Sequence, residues 1–251
     1  LPDWFSSFIA EGAERFSILD AALRSAGVSA KPFETSAGRF LIAYPRACAR
    51  DELYRTKVFT AHYDRVPGTP GALDNSAACV QLVDYLARGR SALNTAVVFT
   101  DREELSGRPA TEQGSYALGK AFSSLGIRLP IVLSFDVTGR GEVLVLSEAA
   151  QSLRGEGARM DALAGEVDEL ARHSSRALSG RIPSCRARIP FGEDLGFLRA
   201  GVPALGLTVL PRDEARELAG FAGLPPWALP RPPRSRRPPT WRVLQIGRAH
   251  V

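Results

Sequence analysis

Three short runs constrain this chain most: Lys57 to Ala61 (KVFTA), Thr95 to Thr100 (TAVVFT) and Pro130 to Phe135 (PIVLSF). Each is rich in β-branched or aromatic residues, and the last two are almost continuously apolar, so both of their faces must be covered. Segments with helical spacing lie between them. Cys79, Val80, Val83, Leu86 and Ala87 mark one helical stripe, and Gln113 to Gly126 reads as another helix. Strands alternating with helices predict an α/β fold, a mainly parallel central β-sheet covered by helices on both faces. Ligands of such sheets bind beyond the carboxyl ends of the strands.

The flanking segments fit the same plan. Trp4 to Gly27 reads as an amphipathic helix with a Gly stop, and Arg39 to Tyr44 (RFLIAY) as a strand continued in the sheet by Lys57 to Ala61. Glu142 to Ser147 (EVLVLS) is expected to pair with Pro130 to Phe135 across Gly139-Arg140-Gly141. Ala158 to Gly180 is a long helix with Leu163, Val167, Leu170 and Leu178 on its buried stripe, and His173 lies off that stripe among charged neighbours. Phe191 to Pro211 gives a polar loop, a short helix and a strand. Residues 1–222 therefore form one domain. Residues 223–239 form a Pro/Arg-rich linker, and residues 240–251 an incomplete strand with a non-native tail.

Charge separates the tail from the domain. The net charge is +5, and the eight arginines and three acids from Arg212 onward account for all of it. The basicity is a property of the tail, so it does not call for a nucleic-acid partner of the domain. Nor does any run reach the ~18 to 20 apolar residues of a membrane span, so no membrane partner is expected. Cys48, Cys79 and Cys185 are far apart, with no paired metal-type spacing, and read as reduced and mostly buried thiols. The chain opens without Met or a leader pattern, which leaves its compartment unknown, with a lean to the cytoplasm.

The residues at the strand ends carry the chemistry. Alternation puts His62 and Asp64 on one side of an extended backbone, where the Asp can take the second ring N–H of a metal-binding imidazole. Asp101-Arg102-Glu103-Glu104 comes after TAVVFT, Asp136 after PIVLSF, and Asp74-Asn75 stands where a helix begins. Alone, Asp74 is read as an N-cap and His62 as a hydrogen-bonded strand-end histidine. Together these acids crowd like charges that must be neutralised, which bound divalent cations do most directly. Imidazole and carboxylates without thiolate suit zinc. Glu103 and Glu104 point in different directions, so one can bind metal while the other handles a proton.

The runs AHYDRVPGTPGALDNSAA, FTDREELSG with GSYAL, LSFDVTGRG and EDLGFLRAGVPAL resemble, in order and spacing, the M28-type zinc aminopeptidases. The resemblance covers roughly Phe40 to Pro211. It implies a zinc-exopeptidase-like fold holding two Zn2+. His62, Asp74 and Asp136 would hold one ion, and Asp74 would bridge to a second ion on Glu104. Glu103 would be the general base and Asp64 the residue that orients His62. A peptide substrate would lose its N-terminal residue to a metal-bridging water. Glu193 and Asp194 match a loop at the site wall and receive no catalytic role.

The resemblance also calls for a last histidine ligand after a strand near the C-terminus. PPTWRVL (Pro238 to Leu244) looks like the approach to it, but Gln245 comes next, and Ile246 to Val251 (IGRAHV) reads as translated adaptor DNA. The expectation is a truncated chain whose native histidine stood at position 245. His250 is the other candidate. Without that ligand the second ion would bind weakly. Three other readings stay open: an M20-like deacylase or carboxypeptidase, a glutaminyl-cyclase-like single-zinc enzyme, and a non-catalytic member of the fold.

Overall fold

A computed structural model describes residues 1–89, 91–104, 109–189 and 192–221. The expected linker and tail, with Gln245 and His250, lie outside the described residues. In chain order the strands are β1 (Ala30–Thr35), β2 (Gly38–Ala43), β3 (Cys48–Ala49), β4 (Thr56–His62), β5 (Ala92–Leu93), β6 (Thr95–Thr100), β7 (Pro130–Asp136), β8 (Val143–Ser147), β9 (Ser184–Ala187) and β10 (Ala204–Leu210). The helices are α1 (Phe5–Ile9), α2 (Arg15–Ser25), α3 (Ala77–Ala87), α4 (Gly114–Ala121), α5 (Ala158–Leu178), α6 (Glu193–Arg199) and α7 (Arg212–Phe221).

Eight strands form one sheet in the order β1-β2-β6-β4-β7-β10-β8-β9. The central strands β6, β4, β7 and β10 run parallel, while β1, β2 and the β10–β8 pair supply antiparallel contacts. The expected class of fold is the observed one. Every residue of β6 is buried, as its unbroken apolar sequence requires. Val98 packs with α4, α5 and α6 on one face, while Val97 and Phe99 pack with α1, α2 and α3 on the other. At the far edge Val143 and Val145 pack under α7. Among the described residues no helix is long and apolar enough to cross a membrane.

Four expected local features differ. The N-terminal helix is two helices, because the chain turns extended at Ala10 and Gly12 takes a left-handed φ of 71°. Strand β2 borders β6 rather than β4. Strand β8 does not fold back on β7: β10 lies between them, parallel to β7 and antiparallel to β8. Apolar β7 has two ladders to fill, and β10 (ALGLTVL) is equally fit to be buried between two neighbours. Helix α4 is shorter than the segment expected from Gln113 to Gly126. His173 is exposed, as its place off the stripe implies.

Candidate metal centre

Parallel neighbours β4, β6 and β7 bring His62, Thr100 and Asp136 to one edge of the sheet, with His62 in register with Thr100. The His62 ring is buried, at 1% exposure. Its Nε2 lies 3.2 Å from Asp74 Oδ1 and 3.6 Å from Asp136 Oδ1, and its Nδ1 lies 3.3 Å from Asp64 Oδ1. One ligand atom each from His62, Asp74 and Asp136 falls within 4.8 Å of the others. The structure thus gathers residues that are 74 positions apart in the chain.

Asp74 is held by a turn, Ala72–Ser76, between Gly71 and α3. Gly71 has a left-handed φ of 59°, and the Asp74–Asn75 peptide is cis. Asn75 is fully buried and donates from Nδ2 to the Phe135 carbonyl at 2.7 Å, which fastens the turn to β7 beside Asp136. Ser76 donates from both N and Oγ to the Gly71 carbonyl, at 3.0 and 2.6 Å. Asp74 is therefore no helix cap. Helix α3 begins after it, and the carboxylate faces His62.

Glu103 and Glu104 follow β6 past Arg102, whose φ of 59° is left-handed. Their backbone N–H groups donate to the two oxygens of Asp64, at 3.2 and 3.0 Å. Asp64 thus ties the His62 ring to the Glu103–Glu104 segment. Burial alone would raise its pKa, but His62 and these two N–H groups outweigh burial and hold the carboxyl below its usual range.

Glu103 is the opposite case. Burial, with Asp136, Glu104 and Asp64 close by, raises its pKa well above the ordinary value against the pull of His62. Burial also works against a charged His62, yet Asp136, Asp64, Asp74 and Glu103 together hold its pKa well above that of a free histidine. The cluster demands a positive charge, and either a ring proton or a cation can supply it. Asp136 Oδ1 is buried without a hydrogen-bond partner. An imidazole and carboxylates converging in this way, without thiolate, fit a divalent cation such as zinc.

One buried layer beneath the site was not legible in the sequence. Glu193, 2% exposed at the start of α6, accepts hydroxyl hydrogen bonds from Thr60 of β4 at 2.7 Å, Ser134 of β7 at 2.6 Å and Thr100 of β6. It clamps the three strands whose ends carry the cluster. Its neighbour Asp194 accepts the Gly206 N–H of β10 at 3.1 Å, and burial pushes its pKa up to about 6. Acids in a first helical turn are ordinarily solvent-facing. Nothing local in FGEDLG signals that these two point into the sheet.

The sheet and the cluster describe an α/β protein with a candidate metal centre at the ends of its central strands. The chain belongs to Peptidase family M28, whose model matches residues 49–229. No curated protein matches the chain. Among solved structures it is similar to Porphyromonas gingivalis glutaminyl cyclase, at 17% identity and a TM-score of 0.56 over 84% of this chain and 83% of that one. It is similar to LapA of Legionella pneumophila, at 13% identity and a TM-score of 0.54 over 83% of this chain and 62% of that one. LapB of the same organism gives 14% and 0.52 over 78% of this chain and 53% of that one. At these identities the likeness is one of fold. The chain spans 62% and 53% of the LapA and LapB chains.

Proposed function

We propose that this protein is a metal-dependent exopeptidase that hydrolyses the N-terminal peptide bond of peptides. The observation that carries the reading is the half-buried Glu103 beside the convergent His62, Asp74 and Asp136. His62, Asp74 and Asp136 would hold one zinc ion, and Asp74 with Glu104 would contribute to a second. The ions supply Lewis acidity toward a peptide carbonyl and lower the pKa of a bound water.

The chain's own residues divide the remaining work. Asp64 Oδ1 stands 3.3 Å from His62 Nδ1, the side of the ring that leaves Nε2 turned toward Asp74 and Asp136. Its hold on the Glu103 and Glu104 N–H groups sets where those two side chains begin. Glu103, half-buried and with a raised pKa, is suited to take a proton from the attacking water and pass it to the leaving amine.

The test is release of the N-terminal residue from peptides by zinc-reconstituted protein, with free and acetylated N-termini compared and Glu103→Gln alongside. The reading expects release from free N-termini only, and a loss of about 100-fold or more in Glu103→Gln with metal retained. Equal activity in the variant contradicts it. A second reading, a single-ion glutaminyl-cyclase-like enzyme, is supported by the lone ligand cluster among the described residues. It predicts loss of ammonia from an N-terminal Gln peptide, with the peptide chain left intact.

A further inference from the structure

Arg15 opens α2, in the part of the chain that precedes residues 49–229, and is only 6% exposed. Its guanidinium lies 4.1 Å from the centroid of the Phe8 ring. Nη2 donates to Ser76 Oγ at 2.5 Å, while Nε and Nη1 are buried with no acceptor among the described residues. Nη1 rests against Gly71, where a Cβ would stand 2.9 Å from it. The guanidinium therefore presses on the back of the Gly71–Ser76 turn, whose front presents Asp74 to His62.

A buried cation whose hydrogen-bonding partner is a neutral hydroxyl is costly to desolvate. Burial pulls its pKa down, with Cys79, Asp64 and Asp74 pulling it up. Packing alone does not explain it, since Met would cover Phe8 without that cost. What Arg15 gives that Met cannot is a donor for Ser76 and a positive charge behind the carboxylates. Ser76 Oγ can then accept from Arg15 while donating to Gly71 O, which closes the turn.

We infer that Arg15 is a positioning residue for the metal centre, acting through Ser76 to fix the turn that aims Asp74 at His62. The inference rests on reading His62, Asp74 and Asp136 as a metal centre. It makes the N-terminal helix pair part of the site, although the family match begins beyond it.

The test measures zinc affinity of the full chain by competition with a chromophoric chelator, in wild type, Arg15→Met, Ser76→Ala and the double variant. Melting of the metal-free proteins reports folding separately. The inference expects each single variant to fold and to bind zinc about 10-fold more weakly or worse. The double variant should bind no more weakly than the worse single, because both break one relay. Wild-type affinity in either folded single variant overturns it, as do losses that add. If Arg15→Met does not fold, Ser76→Ala and Arg15→Lys carry the test, and unchanged affinity in Ser76→Ala is enough to overturn the inference. Absence of zinc binding by the wild type would instead overturn the functional reading.

Discussion

Asp64 Oδ1 stands 3.3 Å from His62 Nδ1, and the same carboxylate accepts the backbone N–H groups of Glu103 and Glu104. One acid thus faces the ring and fixes the course of the segment that carries the two glutamates. Asp64→Ala removes both restraints at once. It is expected to weaken zinc affinity by about 10- to 100-fold while leaving the protein folded. Chelator competition measures this, and affinity within twofold of wild type would remove Asp64 from the site.

The Glu193 clamp makes a prediction about stability. Thr60, Thr100 and Ser134 are all buried, and Glu193 is the acceptor for all three hydroxyls. Glu193→Ala leaves three buried donors without that acceptor and is expected to cost about 3 kcal/mol of unfolding free energy. Glu193→Gln keeps an acceptor oxygen and should cost less. Urea unfolding of metal-free protein measures both, and equal losses in the two variants would contradict the clamp.

Asp194 gives a pH dependence with a definite sign. Its folded pKa is pushed up to about 6, above the ~3.9 of an exposed Asp. Between those values the folded chain binds more protons than the unfolded chain, so this group makes stability fall as pH rises. The fall is complete above about pH 6 and amounts to about 3 kcal/mol. Asp194→Asn should remove that slope. The difference between the wild-type and variant stability curves from pH 4 to 7 checks it, and parallel curves would show that Asp194 does not titrate in this way.

How much the sequence made legible depends on the range of each signal. Strand and helix identities are written locally: TAVVFT is apolar throughout because both faces are covered. Asp64, two residues past the end of β4, lies 3.3 Å from His62 Nδ1. Strand order is not local. Gly139-Arg140-Gly141 looks like a hairpin turn, yet β10 displaces β8 from β7 through contacts about 70 residues away. The candidate ligands were legible because His62, Glu104 and Asp136 come at the ends of strands that had to be central, and Asp74 just before a helix. Glu193 and Arg15 were not, since a charged residue at a helix start normally faces water. Only the packed structure reveals their buried partners, the three strand hydroxyls and Ser76.

The central claim is that the carboxylate-ringed His62 marks a place for a metal ion, and zinc-dependent melting tests it most directly. Metal-free wild type and His62→Ala would each be melted with zinc at about 100 times the wild-type dissociation constant. Binding at that excess stabilises the folded state by about 2.7 kcal/mol, a rise of about 5 to 10 °C in a domain of this size. The account expects that rise in the wild type and none in His62→Ala. The same response in both proteins, or none in either, would contradict it.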